Sequence, residues 1–122
     1  MITPVFQELI NQFIRYAREH PSEEVCALIY NDSLQIVPNV ASNKKIHFQI
    51  SNLEMLNGYQ SKTGVQALLH SHPVGSSEPS NSDKVGMMST GCRWIIYSVI
   101  YDHLWDSEHE KRDLLRRAKE SV

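Results

Sequence analysis

The sequence predicts an α/β (α+β) domain, a small mixed β-sheet sandwiched by helices. Three observations predict it. An amphipathic helical pattern opens the chain, short apolar runs of strand length recur through its middle, and helix-capping signals stand between those runs. The 122 residues suit a single domain with one core. Twelve Lys and Arg against 14 Asp and Glu give a net charge of −2. That balance lacks the basic excess of a nucleic-acid module or of a polybasic membrane anchor, so neither partner is expected. The longest apolar run, Trp94-Ile95-Ile96-Tyr97 with Val99-Ile100-Tyr101 beyond one Ser, is far shorter than the roughly 20 residues that span a bilayer. The opening residues show no basic segment followed by an apolar one, so no secretory signal is expected. Two cysteines, Cys26 and Cys92, are too few for a disulfide scaffold or a four-cysteine zinc site, and a reducing, cytoplasmic setting fits them.

The elements follow in order. Thr3-Pro4 starts a helix, with Thr as N-cap and Pro at the first helical position. Phe6, Leu9, Ile10, Phe13 and Ala17 then recur at helical spacing until Pro21 ends it. Val25 to Tyr30 reads as a buried strand. Asn31-Asp32-Ser33 turns the chain into a returning strand with Leu34, Ile36 and Val37. Ile46, Phe48 and Ile50 alternate with His47 and Gln49, which predicts a third strand with one buried face. Ser51 or Asn52 caps a second helix carrying Leu53, Leu56 and Tyr59. Val65 to Leu69 is a strand that runs into His70. Pro73 to Ser82 is a loop leading to a short helix capped by Ser80. Trp94 to Val99 and Ile100 to Trp105 read as two more strands, joined by a turn that lacks the usual Gly or Asn. Residues 1–106 form the domain. Residues 107–122 form a charged C-terminal helix, with Ser107 and Glu110 at capping-box spacing and only Leu114, Leu115 and Ala118 to bury.

Among six histidines, His70 and His72 stand out. Residues i and i+2 of an extended chain point the same way, so two imidazoles at a strand end converge on one point. Imidazole nitrogens suit zinc, and Asp83 lies one loop later with a carboxylate to add. Two His and one carboxylate leave a tetrahedral position open, which marks a catalytic site more than a structural one. Each piece also has a plain reading. His-x-His is common at strand ends, and Ser80-x-x-Asp83 is an ordinary helix start. His20, His47, His103 and His109 read as surface or structural residues, and Cys26 as a small core residue.

The joint spacing His70-Ser71-His72-Pro73, Val74 to Pro79, then Ser80-Asn81-Ser82-Asp83, resembles the JAMM motif of the MPN-type metallopeptidase family. The resemblance implies a cytidine-deaminase-like MPN/JAMM fold, with Zn2+ as cofactor on His70, His72 and Asp83. It also implies an upstream catalytic acid. Glu23-Glu24-Val25-Cys26-Ala27 matches that region and gives the position to Glu24, with Glu23 as the alternative. Ala27 stands where the family usually has Gly. By the same resemblance Glu24 moves the proton of the attacking water and Ser80 donates to the oxyanion.

Asn39-Val40-Ala41 and His47-Phe48-Gln49-Ile50 resemble the family's middle strands, and the compact bacterial and phage branch is the nearest in look, including phage tail-assembly protein K. The inserted loops with which eukaryotic members grip ubiquitin have no room here. The activity implied is hydrolysis of a peptide or isopeptide bond after the tail of a ubiquitin-like or sulfur-carrier protein, or in a phage tail protein. The alternatives are a phage tail-assembly factor and a non-catalytic MPN-type scaffold that acts by binding proteins. The terminal helix is expected to dock on the domain or on a second copy in a homodimer.

Overall fold

The structure, a computed structural model, describes residues 3–109. Its elements are α1 (Pro4–Glu19), β1 (Cys26–Tyr30), β2 (Ser33–Val37), α2 (Asn52–Tyr59), β3 (Ala67–His72), α3 (Asn81–Thr90), β4 (Trp94–Ser98) and β5 (His103–Asp106). The five strands make one mixed sheet in the order β2-β1-β3-β4-β5. β1 runs antiparallel to both β2 and β3, β3 and β4 are parallel across α3, and β4 and β5 are antiparallel. Among the described residues no helix is long and apolar enough to cross a membrane.

Strand alternation divides the core in two. One face takes Ala27 and Ile29 of β1, Ala67 and Leu69 of β3, and Ile95 and Tyr97 of β4, covered by Leu9, Ile10, Phe13 and Ala17 of α1. That is the stripe predicted for the first helix, and Thr3 caps it by accepting the Phe6 amide at 3.1 Å. The other face takes Cys26, Leu28, Leu68 and Trp94, covered by Ile50, Met55 of α2 and Met87 of α3. The expected sandwich of helices around a mixed sheet is what forms.

Several local expectations hold for identifiable reasons. Asn31 and Asp32 both adopt positive φ, 53° and 54°, as a two-residue hairpin turn requires. Asp102, at φ 50°, fills the place left without Gly or Asn between β4 and β5, and its carboxylate accepts the Tyr97 hydroxyl at 2.6 Å. β5 therefore begins at His103 rather than at Ile100.

Two expectations need correction. Residues 46–50 are not a strand. Both edges of β1 are taken by β2 and β3, so the segment crosses the sheet face instead. Phe48 is half-buried, Ile50 is buried, and Ile46 is 57% exposed. The second helix forms behind Ser51 as expected; Leu53, Leu56 and Tyr59 stay in solvent while Gly58 and Met55 turn to the sheet. Gly58 permits that close approach, since a Cβ there would lie 2.7 Å from Val65 Cγ2. Ser107 does not cap the last helix from outside. Residue 107 is already helical, its hydroxyl accepts the Trp94 amide at 2.9 Å, and Asp106 accepts the Glu108 amide at 3.0 Å. Glu110, Leu114, Leu115, Ala118 and the rest of the helix expected over 107–122 lie outside the described residues.

Gly86 of α3 faces the buried Trp94 indole, and a Cβ there would lie 2.6 Å from Cη2 and 2.9 Å from Cζ2. The ring has little room to yield, because its Nε1 also donates to Thr90 Oγ1 at 2.9 Å. Gly86→Ala gains roughly 1 kcal/mol of helix propensity. The steric conflict costs about 1–3 kcal/mol and outweighs it. Urea unfolding should show a lower midpoint at unchanged slope; a raised midpoint would mean that α3 shifts freely on the sheet.

Candidate metal centre

β3 supplies two of the candidate ligands by alternation. Leu68, His70 and His72 project to the face that α2 and α3 cover, while Ser71 turns to the α1 side. There the Ser71 hydroxyl accepts the Val25 amide at 3.0 Å, closing the β1–β3 pairing just beyond Glu24. The site therefore lies at the carboxyl end of β3, beside its parallel neighbour β4, where open α/β sheets commonly place ligands. α3 brings the third side chain. Ser80 Oγ accepts the Asp83 amide at 3.1 Å, and Asp83 Oδ2 accepts the Ser80 amide at 3.0 Å, a full capping box.

The predicted residues converge. His70 Nε2 lies 3.1 Å from Asp83 Oδ1, and His72 Nε2 lies 3.1 Å from Asp83 Oδ2. Glu24 Oε1 lies 3.3 Å from His70 Nδ1. Ligand atoms of Glu24, His70 and His72 also fall within 4.8 Å of one another. Two carboxylates thus border the same imidazoles, Asp83 touching both rings and Glu24 closing the cluster from β1. Glu23 is not part of this cluster and borders a different hollow, beside Tyr16 and Val37. His20, His47, His103 and His109 also stand outside it.

His70 is fully buried, and neither ring nitrogen meets a partner in hydrogen-bonding geometry. Such orphaned nitrogens are rare, and here they sit among carboxylate oxygens, a donor set that suits a divalent cation. His72 is placed differently. Its Nδ1 donates to the Ser76 carbonyl at 2.7 Å and its Nε2 to Asp83. Both partners are acceptors, so these contacts favour the protonated ring, and a metal ion at Nε2 would compete with that proton. Burial opposes the charged ring, but the Asp83 hydrogen bond, the Ser76 carbonyl and the charges of Asp83 and Glu24 together raise its pKa above the ordinary 6.5. Burial likewise opposes the Asp83 carboxylate. The His70 and His72 imidazoles and the Ser80 amide outweigh it and hold Asp83 well below the usual carboxylate range. Cys26, opposite His70 on β1, is buried and pushed up to about 12 by burial and by the Glu24 charge, so it stays a thiol.

The loop between β3 and α3 is pinned on both sides. Ser98 Oγ donates to the Gly75 carbonyl at 2.7 Å, and Ser77 is hydrogen-bonded to His103 Nδ1 at 2.8 Å. A cavity of about 250 Å³ opens from the cluster between residues 46–50 and α3, bordered by Glu24, Phe48, Ser80, Asp83, Gly86 and Trp94. Ser80 is exposed along it, and capping uses its oxygen as acceptor, which leaves the hydroxyl hydrogen to donate.

Sequence reasoning overlooked three contributors. Phe48 stacks on His70 with ring centres 4.2 Å apart, the Ser76 carbonyl orients the His72 ring through Nδ1, and Asn39 binds the Glu24 carbonyl. Phe48 and Asn39 lie in segments whose motif was visible, but their contacts depend on a chain path that no spacing encodes.

The family model described as prokaryotic homologs of the JAB domain matches residues 6–116. No curated protein matches the chain. Among solved structures, the solution structure of protein DSY2949 from Desulfitobacterium hafniense is similar in fold. Its TM-score is 0.59 at 18% identity, over 81% of this chain and 77% of that one.

Asp83 and His72 give the site a pH signature. Asp83 is depressed, so its contribution is present above its ordinary 3.8 and fades as pH falls through its lower folded value. His72 is raised, so its contribution is complete below 6.5 and fades as pH rises through its higher folded value. Metal-free protein should therefore be most stable between roughly pH 4 and 6.5, and lose stability above that window. An ion must displace the His72 proton, so the gain in Tm on adding zinc should grow with pH across the same range. Thermal melts with and without zinc at several pH values check both trends; a zinc-induced gain that shrinks as pH rises would contradict them.

Proposed function

Since the chain belongs to the family of prokaryotic homologs of the JAB domain, we propose that it is a zinc-dependent hydrolase of peptide or isopeptide bonds, with the ion on His70, His72 and Asp83. The observation that carries this reading is His70, fully buried with both ring nitrogens close to the carboxylates of Asp83 and Glu24 but out of hydrogen-bonding geometry. Asp83 is the preferred carboxylate ligand because its two oxygens already reach both imidazoles. Bound there, zinc supplies Lewis-acid polarisation of the scissile carbonyl and of the attacking water.

The chain's own groups do the rest. Glu24 accepts a proton from the attacking water and returns it to the leaving amine. The Ser80 hydroxyl donates to the oxygen on which negative charge develops. Phe48 and Trp94 give the cluster apolar walls, which strengthens each of these interactions by lowering the local dielectric. The substrate proposed is the tail of a ubiquitin-like or sulfur-carrier protein, or a processing site in a phage tail protein, as the sequence resemblance implies.

Protein exposed to zinc and freed of excess should retain close to one ion per chain, and His70→Ala or His72→Ala should each abolish that retention. Glu24→Gln should keep the ion and the fold. On linear and isopeptide-linked fusions of ubiquitin-like proteins it should cut turnover by about 10²–10⁴. Metal analysis and a cleavage assay on the same preparations decide the matter. Loss of zinc in Glu24→Gln would make Glu24 a ligand instead. Folded wild-type protein that retains no ion would favour the scaffold reading.

A further inference from the structure

We infer that Asn39 is a positioning residue of this site: its carboxamide locks the backbone at Glu24 to the segment that carries Phe48. The inference rests on the reading of Glu24 as the proton acceptor. Asn39 Nδ2 donates to the Glu24 carbonyl at 2.8 Å and to the His47 carbonyl at 2.9 Å. Its Oδ1 accepts the Ala41 amide and the Gln49 amide, each at 3.0 Å. The four partners use both N–H donors and both acceptor positions of the carboxamide. Two carbonyls face one end and two amides the other, so the network also fixes which way the group points.

The surroundings make this knot matter. Residues 38–50 form no strand, and their path is held by few other bonds. Val40 donates to the Gln49 carbonyl at 2.9 Å, and Lys44 accepts the Glu24 amide at 2.7 Å. Glu24 is therefore fastened to this segment on both sides, through its N–H by Lys44 and through its C=O by Asn39. The same segment presents Phe48, stacked on His70 and set edge-on to Trp94 at 5.5 Å. Asn39 does the work of a missing strand partner. It satisfies backbone groups that would otherwise lie unpaired beside the cluster, and it sets the distance between β1 and the cavity wall. Other residues cannot copy this. Ala leaves four groups without partners, and Asp keeps the acceptor while losing both donors. Asn39 does not contact His70, His72 or Asp83, so the metal site should tolerate its loss.

The test uses full-length Asn39→Ala and Asn39→Asp with cobalt(II) as the metal probe, and amide hydrogen exchange to read the knot. In N39A, exchange at Ala41 and Gln49, whose amides lose their acceptor, should accelerate by about tenfold or more, and the Glu24 amide, held by Lys44 of the same segment, should follow as that segment loosens. Cobalt affinity should stay within about threefold of wild type, since binding depends on ligands that Asn39 does not touch. In N39D the Ala41 and Gln49 amides keep their acceptor and should stay protected, while the Glu24 carbonyl loses its donor and only the Glu24 amide beside it exchanges faster. On a cleavable fusion, N39D should lose about tenfold or more in kcat with little change in KM, the signature of a displaced reacting group. N39A should lose in both. Unchanged exchange in N39A overturns the inference. So does loss of cobalt binding as complete as in His72→Ala, or an N39D enzyme with wild-type kcat. If N39A does not fold, N39D still separates the two arms of the knot. If no fusion is cleaved by wild type, the proposed activity fails, and exchange together with cobalt binding still decides whether Asn39 holds Glu24.

Discussion

A buried carboxylate shared between two imidazoles holds this structure's functional end together. Asp83 is 4% exposed, reaches His70 and His72 at 3.1 Å each, and accepts the Ser80 amide as well. A charge so placed costs several kcal/mol of desolvation unless positive or hydrogen-donating groups surround it. Its partners come from different elements, β3 and the N-terminus of α3, so satisfying Asp83 also fixes how α3 sits on the sheet. The parallel β3–β4 pair, joined through α3, then follows as the arrangement that brings the capping box to the strand end.

The two faces of the sheet divide the labour. The α1 face is mostly apolar, with Phe13, Ala17, Ala27, Ile29 and Leu69 fully buried, and it holds the larger of the two apolar clusters. The opposite face gives up packing around β3 to hold His70 and His72, and its cover is a short helix, an irregular segment and α3. The cavity lies where that cover is incomplete. Irregular backbone beside a buried charged cluster needs side chains to satisfy it, and Asn39, Ser51 and Ser80 each do so with their own amide or hydroxyl.

Where sequence reasoning succeeded, the signal was local. The helix from Pro4 follows from Thr3, Pro4 and a 3.6-residue apolar repeat, all within one element. The hairpin at Asn31-Asp32 and the cap at Ser80 are similarly self-contained. Where it failed, a second element decided. Ile46, Phe48 and Ile50 alternate as a strand should, but β1 has no free edge to offer. Which face of the second helix meets the sheet was likewise not given by Leu53, Leu56 and Tyr59; Gly58 makes the close fit to Val65, Tyr30 and Leu28, and Met55 packs beside it.

The residues of the candidate site were legible for the same reason. His70 and His72 share a strand face by the two-residue period, and Ser80 and Asp83 share a helix start by capping chemistry; both are properties of a few consecutive residues. Even the family could be read from that spacing, because the chemistry needs those side chains at those offsets. Tertiary structure alone decided which of Glu23 and Glu24 meets His70, that Asp83 touches both rings at once, that Phe48 lies on His70, and that Asn39 ties Glu24 to the cavity wall. Those are contacts between segments 11 to 46 residues apart. Their distances are set by how the sheet twists, how α3 seats and which strand edges remain open, and no period in the sequence carries that information.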